Sequence, residues 1–407
     1  MDESARKGLG SYKTYTKIGD LYCIFYEKSV SLLRENGISC FITSNSWLRT
    51  KYGLLPRKYL LSNSNPINLI NFEDSQLFSS AVVETNILIT QKSQWQRMLA
   101  ATLVDNSFHS YQTLTDYVNK NHVILNNLDE SGWTIGNDET LKLKKKIEES
   151  SVILKNLGLN INFGIKTGFN TAFIIDESTK NYICSSDPRS SEIIVPLLRG
   201  RDIKKWKYEF DDKWLINSHN GIRSEGIPRI DVEKNYPAIY QYLLRYKKEL
   251  INRQDKGEHW TNLRNCAYLN DFSKEKILWG ELSDRPKFAF DGNGYFAEAT
   301  LFIMTGNNIK YILGILNSSL SNWYFNLIST SSGMGTNRWK KYKIESFPIH
   351  DADASTQTSL SKLVDEITST NSVENRLNIE NQINDLVYKI YGLTDEEIRI
   401  IESSKND

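Results

Sequence analysis

Two short stretches concentrate glycine with cationic and amide side chains. The first is Gly164-Ile-Lys-Thr-Gly-Phe-Asn170, which runs into the apolar Ala172–Ile175. The second is Pro196-Leu-Leu-Arg-Gly-Arg-Asp-Ile-Lys-Lys-Trp206. Glycine lets a backbone turn sharply and lets another backbone or a phosphate approach closely. Arg199, Arg201, Lys204 and Lys205 surround a single glycine, and Lys166 and Thr167 lie between two. A cationic surface on a glycine-bent loop beside a strand has the chemistry to grip a phosphate backbone. The plainer reading, a turn before a strand and a solvated basic loop, stands beside it on local chemistry alone. A third basic stretch, Ser331-Ser-Gly-Met-Gly-Thr-Asn-Arg-Trp-Lys-Lys341, has the same glycine-bent, cationic and aromatic character.

Other chemistries find no purchase. The sequence has no Gly-x-Gly-x-x-Gly, no phosphate loop of the GxxxxGK[ST] kind and no GxSxG elbow. Four scattered cysteines without CxxC, and five isolated histidines, give neither a zinc site nor a disulfide framework. A metal nuclease built on two carboxylates and a lysine needs an acid two residues before a lysine. Asp211-Asp-Lys213 has that spacing, and a turn acid before a strand explains it as well.

The elements that must position these residues come next. A chain of 407 residues with 40% hydrophobic side chains can bury a sizeable core in two or three domains. Net charge is only +1, but it is unevenly spread: residues 159–350 hold 27 basic and 21 acidic side chains, residues 351–407 hold 5 and 12. A polyanion site therefore belongs in the middle of the chain. No apolar run reaches the ~18 residues that a membrane helix needs, and a reducing cytoplasm fits the cysteine usage.

Periodicity predicts a helix over Asp20–Asn36, a strand over Ile38–Thr43, a helix over Tyr52–Leu61 and strands over Ile67–Phe72 and Val82–Thr90. The last two are expected as a hairpin-like antiparallel edge. This is the rhythm of an α/β sheet. Residues 91–158 are polar and mixed and read as a connector. Beyond them, strands are expected over Ala172–Asp176, Ile193–Leu198, Lys213–Ile216, Lys276–Trp279, Lys287–Phe290 and Ala299–Met304, with helices over Pro237–Ile251 and Asn308–Leu327. Two amphipathic helices fill residues 355–403, and Thr394 and Glu397 stand at capping-box spacing.

In sequence order, these segments resemble the C-terminal two-thirds of adenine-N6 DNA methyltransferases of the TaqI kind, including single-chain restriction–modification enzymes. The resemblance spans roughly residues 12–400. Asp20-Leu-Tyr22, Phe25-Tyr-Glu-Lys28, Glu35-Asn-Gly-Ile-Ser-Cys-Phe-Ile-Thr43 and Ser46-Trp-Leu48 look like the helix and strand after the catalytic motif. Asn71-Phe-Glu-Asp74, Leu77-Phe78 and Glu84-Thr-Asn-Ile-Leu-Ile89 look like late strands of the methyltransferase sheet. GIKTGFN (164–170) and PLLRGRDIKKW (196–206) look like the opening of the specificity domain. Lys276-Ile-Leu-Trp279, Ile312–Leu320 with Leu316-Asn-Ser318, and Phe347-Pro-Ile349 look like its later blocks.

The resemblance implies an α/β partial methyltransferase (Rossmann-like) lobe over 1–110 and a connector over 111–158. It implies a mostly-β, DNA target-recognition domain with inserted helices over 159–350 and a helical tail over 351–407. The family's Asn-Pro-Pro-Tyr, which binds the target amine, and its glycine-containing loop for S-adenosylmethionine are absent here, and both lie upstream of residue 12 in the family. The chain is thus expected to begin after the catalytic motif and not to methylate alone. No donor is expected on this chain; S-adenosylmethionine belongs to the complete enzyme, with an N-terminal methyltransferase fragment in trans. Ile38–Thr43 is then expected at or near an unpaired sheet edge.

The family flips adenine out of the duplex. By motif, Phe78 falls where an aromatic stacks on that base. Lys166, Thr167, Asn170, Arg199, Arg201, Lys204, Lys205, Arg285, Arg338, Lys340 and Lys341 are the candidates for contact with double-stranded DNA. Trp206 and Trp339 read as packing anchors. A competing reading makes the chain an interaction subunit that docks a separate catalytic protein. Salt-sensitive duplex binding separates the two.

Overall fold

The first long helix, Tyr22–Leu32, stops at an extended Leu33, short of the expected Asn36, and Asn36–Gly37 form the turn that follows: Asn36 adopts a left-handed φ of 62°, and Gly37 donates its N–H to Arg34 O at 2.8 Å. The turn delivers the alternating Ile-Ser-Cys-Phe-Ile-Thr-Ser segment into strand β1, Ile38–Ser44. The computed structural model describes residues 8–73, 78, 83–104, 113–254, 256–328, 331–332 and 336–403. The chain divides into two units: Met1–Ser150 with Trp323–Arg338 and Asp395–Asp407, and Ser151–Asn322 with Trp339–Thr394.

The first unit is a five-stranded sheet, β1, β2 (Asn65–Glu73), β3 (Thr85–Gln91), β4 (Met98–Val104) and β5 (Val123–Leu125), in the order β1-β3-β2-β4-β5. One face carries Leu69, Leu88, Met98 and Ala100. It packs on Cys23, Tyr26 and Val30 of helix Tyr22–Leu32, on Leu60 of helix Leu54–Asn63, and on Trp47 and Trp133. Pro56 lies in the first turn of that second helix, where a missing N–H costs nothing. The other face carries Ile70, Phe72 and Leu103 against Tyr117 of helix Leu114–Asn121.

The hairpin expected at an edge is internal. β3 pairs antiparallel with both β1 and β2, and β1 and β5 are the two edge strands among the described residues. Met98–Val104, assigned by sequence to the polar connector, is a central strand parallel to β2 and antiparallel to β5. Its two alanines carry no strand propensity of their own; neighbours on both sides supply the hydrogen bonds that hold it extended.

The second unit is mixed rather than mostly β. Its strands are β7 (Asn160–Phe163), β8 (Ile174–Asp176), β9 (Ile194–Leu198), β10 (Lys213–Ile216), β11 (Lys276–Gly280), β13 (Ala289–Asp291), β14 (Phe296–Ala297) and β15 (Leu301–Thr305). One four-stranded sheet runs β14-β9-β10-β8 and another β13-β11-β15-β7. The two-residue β6 (Val152–Ile153) pairs with Pro348–Ile349, and β12 is Leu282–Ser283. Leu197, Leu198, Leu215, Ile216, Ile239, Leu243, Leu278 and Ile303 are fully buried within one cluster. Each such side chain contributes about 1.5–3 kcal/mol by leaving water.

Several expected elements break where a side chain has another task. Ala172–Ile175 is not one strand: Asn170–Phe173 makes a single helical turn before β8. Pro237–Ile251 is two helices, Pro237–Leu244 and Lys247–Asn252, with Tyr246 N–H bonded to Leu243 O between them. Asn308–Leu327 splits at Asn317 and Ser318. Asn317 is buried and spends its amide on Phe288, donating to its O at 2.8 Å and accepting from its N at 3.1 Å. The acidic tail is three helices, Ala354–Ser369, Val373–Ile390 and Asp395–Ser403, the last two separated at Gly392 with φ of 60°. No helix among the described residues is long and apolar enough to cross a membrane.

Candidate nucleic-acid interface

The first glycine loop is closed on its own unit. Gly164 N–H bonds Leu301 O at 2.8 Å and Ile165 N–H bonds Ala297 O at 2.7 Å. The approach is so close that a Cβ at Gly164 would collide with the backbone of Glu298. Thr167 is buried; its hydroxyl donates to Asn170 Oδ1 at 2.6 Å and accepts from Phe169 N at 3.1 Å. Asn170 Nδ2 donates to Glu298 Oε1 at 2.9 Å, and Arg253 Nη1 donates to Thr167 O at 2.5 Å. Burial lowers the Arg253 guanidinium pKa to about 10. Thr167 therefore shapes this loop from inside. Lys166 is its exposed cation, 5.1 Å from the centroid of the Phe163 ring.

The second loop displays its charges. Arg199 is anchored by the buried Asp202: Asp202 Oδ2 accepts Arg199 N at 2.8 Å and Nε at 3.3 Å, and Oδ1 accepts Nη2 at 3.3 Å. The exposed Asp211 accepts from Arg199 Nη2 and, at 3.1 Å, from Arg201 Nη2. Burial alone would lower the Arg199 pKa, but Asp202 and Asp211 outweigh it and raise it. The same Arg199 bond holds the Asp211 carboxyl below the usual range. Lys204 lies 3.6 Å from Glu209 and Lys205 3.4 Å from Glu380.

Trp206 ends the loop as a buried anchor in a left-handed conformation, φ 77°, which a bulky side chain adopts only when its surroundings dictate it. Its N–H bonds Phe288 O at 2.8 Å, its O accepts from Phe290 N at 3.2 Å, and its indole donates to Glu380 Oε1 at 2.6 Å.

The segment 280–287 faces this loop. Arg285 and Lys287 share Asp284 at 3.0 and 2.7 Å, and Lys287 with Arg285 keeps that carboxyl well below its ordinary range. The segment is tied down by the buried Trp339, whose N–H bonds Glu281 O at 2.7 Å and whose indole bonds Ser283 O at 3.0 Å. A cleft of about 270 Å³ opens between the two, lined by Arg201, Lys204, Lys205 and Lys287 with Gly200, Ile203, Gly280, Leu282 and Ser283. Four cations and no carboxylate form its wall.

The remaining candidates scatter. Lys341 donates to Ile161 O at 2.5 Å and pairs with Glu345 at 3.7 Å, while Lys340 is half-buried at the start of helix Lys341–Glu345. The side chain of Arg338 lies outside the described residues. Phe78 is exposed, and the residues on either side of it lie outside the described set. Sequence reasoning missed Lys287, Asp202 and Glu380, and it weighed Asp211 as a nuclease or turn acid rather than as the partner of Arg199 and Arg201. Asp202 and Lys287 could have been found from their spacing of three from Arg199 and Asp284. Glu380 carries no local signal.

Comparison with known proteins places this cleft. Residues 195–349 match the model of the TaqI-like C-terminal specificity domain. Residues 1–78 match that of the Eco57I restriction-modification methylase. Among curated relatives, the Type II methyltransferase M.BstVI of Geobacillus stearothermophilus is 20% identical over 427 residues, covering 99% of this chain and 72% of its own. The Type II methyltransferase M.BanIII of Aneurinibacillus aneurinilyticus is 21% identical over 418 residues, covering 92% and 71%. Among solved structures, the Type IIL restriction-modification enzyme MmeI in complex with DNA superposes with a TM-score of 0.63 at 14% identity, covering 98% of this chain. The chain spans 54% of that structure's length. The resemblance to restriction–modification methyltransferases thus covers the α/β unit and the cationic cleft alike, and the whole cleft falls inside the specificity-domain match.

Proposed function

We propose that this chain supplies sequence-specific DNA recognition to a restriction–modification adenine-N6 methyltransferase of the base-flipping type. The observation that carries the reading is the cleft lined by Arg201, Lys204, Lys205 and Lys287, whose carboxylate partners lie outside its wall, within the matched specificity domain. Phosphate contacts dominate the energy of such a surface; guanidinium groups that reach base edges add sequence discrimination. Phe78 serves as the stacking partner of the flipped base.

S-adenosylmethionine is the donor of the complete enzyme, and this reading assigns no residue of this chain to it. Edge strand β1 exposes Ile38, Cys40 and Ile42, and this reading assigns its unpaired edge to further strands of a methyltransferase sheet.

The test is titration of the purified chain against duplex and single-stranded oligonucleotides over a series of salt concentrations. The reading expects preference for duplex and an affinity that falls steeply as salt rises, with a log–log slope of about 0.9 per phosphate contact. Absence of duplex preference at low ionic strength, or methyl transfer by the chain unaided, overturns it. Co-expression with an Asn-Pro-Pro-Tyr-bearing N-terminal half should restore adenine methylation.

A further inference from the structure

The cations around the cleft already have carboxylate partners, and one of those partners differs from the rest. Glu209, Glu380 and Asp284 lie beside lysines or a neighbouring arginine. Two carboxylates lie beside both arginines of the loop: the buried Asp202 on the inner side, and Asp211 on the solvent side. Arg199 is 15% exposed and cannot follow Asp211 outward, because the 3%-exposed Asp202 holds it by both backbone and guanidinium. Arg201 is 66% exposed and lines the cleft. The Asp211 carboxylate, 60% exposed, therefore caps a fixed guanidinium and a movable one from the solvent side. A phosphate binds a guanidinium through the same fork that a carboxylate uses.

We propose that Asp211 is a built-in competitor for the DNA backbone: its carboxylate occupies the position on Arg199 and Arg201 that a phosphate takes in the complex. This rests on the DNA reading above and sharpens it. A duplex must displace Asp211 before the arginine pair becomes available, so binding to any phosphate is weakened by the same factor. Only a sequence that adds base contacts recovers that loss. Asp211 then sets the overall affinity of the loop for phosphate, equally for every sequence, and never touches DNA. No bond is made or broken; one anion replaces another.

The neighbouring residue provides the control. Asp212 has a left-handed φ of 42°, a conformation asparagine accepts readily, and it makes none of the arginine contacts that Asp211 makes. Asp211→Asn and Asp212→Asn remove the same unit of charge one residue apart. The full-length variants are titrated with a random-sequence duplex, and thermal unfolding confirms that each is folded.

Asp211→Asn is expected to tighten binding about fivefold, the scale of one exposed charge-assisted pair, and to steepen the salt slope by about one to two. Asp212→Asn is expected to change affinity less than about twofold and leave the slope unchanged. Asp211→Ser should behave as Asp211→Asn, and adding Arg201→Ala should remove the gain. Equal effects at positions 211 and 212, or no tightening at 211, overturn this inference while wild-type duplex binding leaves the DNA reading standing. Loss of duplex binding by wild type and variants together overturns both.

Discussion

Two loops with nearly the same composition do opposite things. Both Gly164–Asn170 and Arg199–Trp206 offer glycine, lysine and a polar or cationic partner beside a strand. In the first, glycine is used for contact: Gly164 presses against Glu298, Thr167 is sealed inside, and Asn170 is tied to Glu298. In the second, glycine is used for room: a Cβ at Gly200 would meet only Thr300 Oγ1, at 3.6 Å. One loop staples the unit together and the other presents charge to solvent. A glycine-flanked basic motif does not say which; the neighbour opposite the glycine decides.

The contrast can be broken most directly at the two glycines. Gly164→Ala should destabilise the second unit by about 2–3 kcal/mol through forced backbone displacement, read as a shift in the urea midpoint. Gly200→Ala should move it by less than about 0.5 kcal/mol. Equal shifts would erase the distinction. Next in size, Arg201→Ala with Lys204→Ala should cost about tenfold in duplex affinity, each residue being worth about 0.7 kcal/mol as an exposed pair, and lower the salt slope by nearly two, while leaving the urea midpoint unchanged.

A third prediction concerns acid. Asp176 caps helix Glu177–Ser186, accepting Thr179 N at 2.8 Å and Ser178 Oγ at 2.9 Å. The Thr179 and Ser178 bonds hold its carboxyl at about 2. Its folded pKa lies below the unfolded value of about 3.9, so the cap contributes fully above that value and is lost as pH falls toward about 2. Asp176→Asn keeps the cap but not the charge. Its stability should therefore be flatter than wild type across that window, and Asp176→Ala should cost about 1 kcal/mol at neutral pH. The smallest effect is expected at Lys166. As an exposed charge on the stapling loop, its replacement by alanine should change duplex affinity less than about twofold; a loss as large as that of Arg201 would make both loops display surfaces.

Much of the scaffold was legible. The strand and helix order of the first unit followed from apolar periodicity and the Asn36–Gly37 stop, and the strands at 194–198 and 213–216 fell where alternation put them. Trp206 and Trp339 were legible as anchors because bulky indoles beside charged loops are rarely left in water. What escaped is non-local. Met98–Val104 is a strand only because β2 and β5 flank it. Ala172 and Phe173 are buried as an apolar run should be, but they lie in the helical turn Asn170–Phe173 rather than in the expected strand. Of the cleft, Arg201, Lys204 and Lys205 were visible and Lys287 was not; Asp211 was read only as a turn acid or nuclease acid, and Glu380, 174 positions after Trp206, carries no local signal.

Glu380 lies 174 positions after Trp206 and supplies the hydrogen bond to its indole. The recognition loop is therefore complete as sequence long before it is complete as shape. During synthesis the ribosome releases the arginines and lysines first, and the late helix Val373–Ile390 adds the last side-chain tie, to the Trp206 indole and Lys205. A nascent chain halted before that helix would carry every basic group of the cleft without the clamp that orders them.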